Sequence, residues 1–201
     1  LSLKIATVNA TVATLLGALA GLTLSRAGHF KGRTLFAGMV SAPLVMPEVI
    51  TGLSLLLLFI TLSNLIGWPS ERGMTTITIA HITFSLAYVA VMHSRLAGVS
   101  QDLEEAAQDL GGKPFRVLID ITLPLLMPAL AAGWLLAFTL SLDDLVIASF
   151  VSGPGSNTLP ILIYSRIRLG LRPDINALAT MIILVVSIGV FVAGWLLLRQ
   201  Q

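Results

Sequence analysis

Residues 105–124 read EAAQDLGGKPFRVLIDITLP, a polar and glycine-containing segment between two long apolar stretches. Together with the residues just before it, this segment has apolar positions at i, i+3, i+4 and i+7, which predicts a short helix with one apolar face. A helix of about two to three turns is marginal on its own, so we expect the apolar face to rest against another surface. The face consists of Leu103, Ala106, Ala107 and Leu110.

Both ends of this predicted helix, residues 102–112, carry residues that are typical of helix caps. Asp102 can cap the start, and Glu105, three residues later, can close a capping box. Gly111 and Gly112 can end the helix. Taken alone, the pattern fits a connecting helix packed on its own domain, with Glu105 as a cap, as well as it fits a contact helix.

The composition is that of an integral membrane protein. The chain has 201 residues, of which 56% are hydrophobic and only 11% are charged, and its mean hydropathy is +0.93. Soluble domains carry roughly 25% charged residues, because a water-exposed surface requires them. We therefore predict an all-α protein built from membrane-spanning helices.

Several classes of function are disfavoured by the residue inventory. The chain has no Cys, which excludes disulfides and thiol chemistry. The three His residues show no metal-ligand spacing, and there is no basic block with aromatic residues that would indicate nucleic acid binding. An intramembrane enzyme is the last-ranked alternative, because no Ser/His or metal-binding constellation is visible.

Five stretches are long and apolar enough to span a bilayer, which takes about 20 residues. The segments between them alternate sides, and the side that carries residues 93–116 holds more Lys and Arg, which places that segment in the cytoplasm. The chain opens LSLKIA, without Met or a signal-peptide pattern, so we expect a further helix before residue 1 and six spans in all. The five predicted spans cover about 5–24, 35–62, 75–94, 119–142 and 176–198.

Prolines interrupt two of these spans. The second contains Pro43 and Pro47, and the fourth begins with Pro124 and Pro128. Proline removes a backbone donor and kinks a helix, which suits a moving pore but is also common in membrane helices. The segment 143–175 holds too many Gly and Pro residues to span. Within it, TLPILIYSRIRLG (158–170) predicts a short helix at the outer surface.

The full spacing of the polar segment resembles the EAA signature of permease subunits of binding-protein-dependent ABC importers. EAA at 105–107, Gly111 and I-x-L-P at 121–124 all fall at the positions of that signature. The resemblance implies a type I ABC importer transmembrane domain over residues 1–201, with 102–112 as a cytoplasmic coupling helix and 143–175 as an outer gate segment. It implies a transport subunit and not an enzyme.

The same resemblance implies the partners and the contact residues. The coupling helix is expected to dock in a cleft of a cytoplasmic ATPase, with Glu105 in a polar contact and Gly111 permitting the turn. Two such ATPase subunits would bind ATP and Mg²⁺, so no cofactor is expected in this chain. A second permease subunit, a periplasmic polyamine-binding protein and membrane lipid complete the expected partners. The docking face would comprise Ala106, Ala107 and Leu110.

Two further stretches look like the polyamine branch of this superfamily. They are PEVITG at 47–52 and DDLVIASF at 143–150. The likeness implies a permease of the bacterial inner membrane, of the kind that forms the second membrane subunit of polyamine importers. It favours putrescine as cargo, with spermidine next. An ABC permease for another small solute is the alternative.

A polyamine is a flexible cation, so its path calls for carboxylates and aromatic faces. Glu48 lies about 22 Å along a helix from Arg33, near the bilayer midplane, where a carboxylate costs about 2.5–3.5 kcal/mol and should face a wet or protein-lined path. Asp143 and Asp144 end the fourth span and can attract a cation. Each of these acids also has a purely structural explanation. Glu48 could pair with a residue of the partner subunit, and Asp143 or Asp144 could cap the short outer segment.

Aromatic and basic residues complete the candidate path. Trp134 and Phe138 lie four residues apart on one helical face, where they can offer cation–π contact, although simple packing is favoured. The arginines near the end of the outer segment would repel a cation and are expected to bind an acidic rim of the binding protein or to balance the aspartates. They are Arg166, Arg168 and Arg172. A stand-alone transporter or channel that uses Glu48 and the aspartate pair as a proton relay is the competing class.

Overall fold

The computed structural model describes residues 1–26, 28–96 and 101–168, together with the short stretches 176–177, 179–184 and 187–188. The chain divides into two compact units, Leu1–Pro160 and Ile161–Gln201. Most of the predicted span 176–198, as well as Arg172, lies outside the described residues. The side chain of Asp102 does too, so its predicted capping role stays a prediction.

All regular elements in the described part of the chain are helices. The first unit begins with four helices and continues through the polar segment. It then forms a long helix that is interrupted first by a π-helical turn and then by a break at Asp144. The elements are α1 (Ser2–Arg26), α2 (Arg33–Val45), α3 (Glu48–Ile66), α4 (Met74–Leu96), α5 (Gln101–Asp109), α6 (Pro114–Val117), a π-helical turn (Leu118–Thr122), α7 (Leu123–Asp143), α8 (Val146–Val151) and α9 (Leu159–Arg168).

The core of the first unit lies between α1, α4 and α7. Small side chains allow these helices to approach closely, which is typical of membrane helix packing. Asn9 of α1 is fully buried, and its Nδ2 donates hydrogen bonds to Ala137 O (2.8 Å) and Ser85 Oγ (3.1 Å). This side chain therefore joins all three helices. The surrounding core cluster consists of Ala10, Ala13, Val89 and Ala137.

Within the described residues, four stretches are long and apolar enough to cross a membrane. They differ in how much of their surface the unit itself covers. The most apolar windows of α1 and α4 are 56% buried, whereas those of α3 and of the composite helix Pro114–Asp143 are 17% and 22% buried. The last two helices therefore present mostly apolar side chains outward, to lipid or to another protein.

The second predicted span is broken in two. Met46 adopts an extended conformation (φ −78°, ψ 134°), and α3 starts after Pro47. The residue before a proline is disfavoured in the helical region, which explains the break at this position. The prediction of a proline interruption is confirmed. The prediction that Arg33 and Glu48 lie along one continuous helix is wrong, so the estimate of 22 Å between them does not hold.

The fourth predicted span is a composite. A short α6 starts at Pro114 and passes through the π turn into α7, where Pro128 is accommodated inside the helix. In the π turn, the backbone N–H of Leu123 bonds to Leu118 O, five residues back. Such a turn inserts one extra residue into a helix and is frequent at functional sites.

The predicted short helix in the outer segment is present as α9, and most of it belongs to the second unit. Within α9, the guanidinium carbon of Arg168 lies 5.6 Å from the centre of the Tyr164 ring. Arg166 and Arg168 both lie in the last turn of α9, where a positive charge is favourable.

Candidate functional site

The polar segment forms a helix with a defined C-terminal stop. Gly111 has a φ of +87°, which only glycine adopts without strain. Gly111 N donates to Gln108 O and Gly112 N donates to Ala107 O, each at 2.9 Å. These two bonds form a Schellman motif, which satisfies carbonyls that the helix leaves open at its end. The glycine stop predicted from the sequence is thus present.

The predicted apolar face of α5 is open to solvent in this chain. Leu110 is 91% exposed and Leu103 is 54% exposed. Ala106 and Glu105 are exposed as well, and Ala107 is half-buried. The expectation that this face rests on another surface is not met within the described part of the chain, so the face is available to a partner.

Asp144 lies between α7 and α8 and holds the start of α8. Its carboxylate oxygens accept hydrogen bonds from Ile147 N (3.3 Å) and Ala148 N (2.7 Å). These are N–H groups that the first turn of a helix leaves without a partner. Of the two uses considered for the aspartates, a helix cap is therefore what the geometry gives Asp144.

His81 of α4 completes a buried polar cluster around Asp144. The His81 ring is 2% exposed, and its Nε2 lies 3.1 Å from Asp144 Oδ2. The other ring nitrogen, Nδ1, lies 2.7 Å from Ser141 Oγ. Analysis of the sequence missed this histidine, because only metal-ligand spacing was considered. The available signal was an ionisable residue inside an apolar spanning helix, TIAHITF at 78–84.

The break between α7 and α8 at Asp144 lies next to a residue well inside α4, and not next to the end of that helix. Thr76, near the start of α4, donates to Val151 O (2.7 Å) at the far end of α8. His81, which contacts Asp144, lies about 10 Å further along the α4 axis than Met74, at 1.5 Å per residue. The aspartates do end α7, as predicted, but α8 continues from there toward the start of α4.

The first turns of α3 pack directly on α8. Gly52 lies one turn after Glu48 on the same side of α3, and a Cβ atom at Gly52 would lie 2.7 Å from Phe150 Cδ2 and 3.3 Å from Ile147 Cα. Further along, Phe59 of α3 and Pro154, after α8, line one cleft. The two helices thus run side by side in the same direction, each preceded by a break in its span.

This packing places two of the predicted path carboxylates at neighbouring helix starts. Glu48 lies in the first turn of α3 and is exposed. Asp144 precedes α8 and has a side chain only 7% exposed. Asp143, its neighbour, is exposed. Discontinuous helices near the solute site are a common architecture of membrane transporters.

The two predicted path aromatics lie elsewhere, on the packed side of α7. Their rings stack with centroids 5.2 Å apart, and both pack against the core cluster of α1, α4 and α7. Trp134 Nε1 donates to Thr11 Oγ1 at 3.2 Å. Of the two roles considered for Trp134 and Phe138, these contacts favour packing.

Comparison with known proteins identifies the class. Residues 13–200 match the family described as the binding-protein-dependent transport system inner membrane component. The match includes α5 and both helix breaks. The chain belongs to this family, and is thus a multi-pass inner-membrane component of a transport system that works with a binding protein. A transport subunit, the class of function expected from the sequence, is thereby confirmed.

Three relatives are similar along the whole chain. Identity is 58% over 202 residues to the putrescine transport system permease protein PotI of Escherichia coli strain K12, and covers 100% of this chain and 72% of PotI. It is 43% over 201 residues to the spermidine/putrescine transport system permease protein PotC of the same strain, with 73% of PotC covered. The chain is 40% identical over 201 residues to PotC of Haemophilus influenzae, and the alignment covers 75% of that protein.

Proposed function

We propose that this chain forms half of the pore of an ATP-driven importer that moves a polyamine into the cytoplasm. The observation that carries the proposal is the 58% identity to PotI over the full chain, compared with 43% to PotC. Putrescine is therefore the favoured cargo and spermidine the next. The proton-relay transporter is disfavoured, because the family works with a binding protein.

The exposed face of α5 supports docking on a cytoplasmic ATPase. Leu103 of α5 and Leu110 directly after it remain largely uncovered, although the helix is too short to be stable alone. Ala106 and Ala107 allow a partner to approach closely, and Glu105 lies exposed beside them for a polar contact. Gly111 ends the helix so that the chain can return to the membrane. The ATPase subunits would bind ATP and Mg²⁺.

Glu48 and Asp143 are the carboxylates that we assign to the cation path. Both are exposed, and both lie at the breaks where α3 and α8 begin. Asp144 lies at the same break as Asp143, but its oxygens contact His81 and accept hydrogen bonds from backbone N–H groups. An unpaired carboxylate inside a bilayer costs about 2.5–3.5 kcal/mol, so Glu48 and Asp143 are expected to face water and not lipid.

The outward apolar faces of α3 and of Pro114–Asp143 support a second permease subunit as partner, with lipid around the pair. A pore at such an interface would be lined from both subunits. Arg166 and Arg168, exposed at the end of α9, are assigned to docking of the polyamine-binding protein through its acidic rim.

Uptake by the assembled transporter tests this function. The chain, its partner permease and the ATPase subunits are reconstituted in proteoliposomes with the binding protein and labelled putrescine. We expect uptake that requires ATP, with ATP hydrolysis stimulated by putrescine-loaded binding protein more than by the spermidine-loaded form. Uptake that persists without the ATPase subunits would contradict the proposal. ATP-driven uptake of a different solute class would assign the chain to another branch.

A further inference from the structure

The part of the chain that the structure describes shows how α5 is attached to the membrane-spanning helices. Among the described elements, α5 packs mainly against α6 and the π turn. Leu103 of α5 is 54% exposed, and Leu110, directly after the helix, is 91% exposed. Within the described residues, the connections from α5 to α7 are thus the contacts at the π turn and the glycine turn at Gly111.

A side-chain hydrogen bond joins α5 to the π turn. Thr122 Oγ1 donates to Glu104 Oε1, across 18 residues of sequence. Thr122 is fully buried, and Glu104 is half-buried. A hydrogen bond that involves a carboxylate is stronger than one between neutral groups, and burial of the hydroxyl shields it from competing water.

The π turn gives this bond its geometry. The Thr122 hydroxyl lies between Glu104 Oε1 and Val117 O, the latter at 3.4 Å. Because the turn holds one extra residue, side chains after it are rotated by about 100° relative to a regular α-helix. Thr122 is the last residue of the π turn and directly precedes α7, the helix that ends at Asp143.

We propose that Glu104 and Thr122 form the mechanical link between the coupling helix and α7. Glu104 is a positioning residue, one position before the Glu105 that we assign to the ATPase contact. The inference rests on the proposed coupling role of α5. In this arrangement Glu105 receives the movement of the partner, and Glu104 passes it to Thr122 at the base of α7.

The test measures solute transported per ATP hydrolysed by the whole reconstituted transporter. Glu104→Ala removes the acceptor at a half-exposed site, so it leaves folding intact, and Thr122→Val removes the donor with little change in shape. Each is expected to lower uptake per ATP about tenfold, since a hydrogen bond to a charged group contributes that order of coupling. Co-purification of the ATPase subunits is expected to be retained.

Matched variants separate the link from local packing. Thr122→Ser keeps the hydroxyl and is expected to retain most of the wild-type ratio. Glu104→Gln keeps an acceptor oxygen but loses the charge, so its ratio is expected to fall between those of the wild type and Glu104→Ala. The double variant Glu104→Ala with Thr122→Val is expected to be no worse than either single variant. Losses that multiply in the double variant, or a wild-type ratio in Glu104→Ala, would overturn the inference.

The two proposals fail in different ways. If the wild-type transporter shows no ATP-driven uptake, the proposed function is wrong. If the wild type couples uptake to ATP and the two single losses multiply, only the Glu104–Thr122 link is wrong.

Discussion

Asp143 and Asp144 are adjacent in sequence but have different surroundings. Asp144 is held by His81 and by two backbone N–H groups at the start of α8. Asp143 is exposed at the last position of α7. One carboxylate is thus committed to structure, and its neighbour is exposed, as the proposed cation path requires.

Neutral substitutions should separate these two roles. We expect Asp143→Asn to lower putrescine uptake about tenfold or more, with little change in melting temperature, because it removes an exposed charge. Asp144→Asn should lower the melting temperature by about 3–10 °C, since it weakens charge-assisted bonds worth about 1.5–3 kcal/mol in total. Uptake and thermal unfolding are measured on the same purified transporter.

Glu71→Gln is the matched control for loss of a carboxylate, because Glu71 is exposed in the loop between α3 and α4. It should leave both uptake and melting temperature unchanged. Docking of the binding protein should survive in all three variants. Equal behaviour of the two aspartate variants would argue against the division of roles.

At the scale of elements, the contact between α3 and α8 brings the two helix breaks together. Gly52 makes it possible, because any side chain there would meet Phe150. We expect Gly52→Val to lower the free energy of unfolding by about 1–3 kcal/mol, the usual cost of overpacking. We also expect it to reduce uptake, since α3 would be pushed away from α8. Thermal unfolding and uptake measure the two effects.

Gly38→Ala provides the comparison. Gly38 lies inside α2, and a Cβ atom there would meet nothing within 4 Å. Alanine is favoured over glycine within a helix by about 0.5–1 kcal/mol, so this variant should be neutral or slightly more stable. If Gly52→Val were as harmless as Gly38→Ala, the close contact between α3 and α8 would be wrong.

Some of these elements could be predicted from the sequence and others could not. Pro47 predicts the first break, because the residue before a proline is disfavoured in the helical region. Gly111 predicts the end of α5, because glycine readily adopts the left-handed conformation of a helix stop. The end of α7 at the aspartates could be predicted, but the new helix that begins directly after them could not. Asp144 has no proline or glycine beside it, and its contact with His81 joins residues 63 positions apart in the sequence. The π turn and the Glu104–Thr122 bond likewise depend on packing, for which periodicity gives no signal.

At the scale of the whole molecule, the fold implies that α5 and the loop between α3 and α4 lie on opposite sides of the membrane. The excess of Lys and Arg predicts that α5 lies in the cytoplasm. The chain has no Cys, so a single introduced cysteine reports its own side without background. Exposed positions suited to labelling are Gln108 in α5 and Ser70 in the loop.

We expect Gln108→Cys to react with a membrane-impermeant maleimide only in inverted vesicles, and Ser70→Cys only in intact spheroplasts. The unsubstituted chain should show no labelling in either preparation. Labelling of both positions from the same side would contradict the assigned topology, and with it the docking of α5 on a cytoplasmic ATPase.

The position of Glu48 in the first turn of α3 also bears on how long a cargo molecule stays in the pore. The start of a helix carries roughly half a positive charge, which offsets part of the carboxylate charge. On the proposed path, a diamine that passes Glu48 would therefore meet a shallow energy well and not a trap. Tight capture would then fall to the binding protein, and the membrane subunit would favour a brief dwell time and quick release.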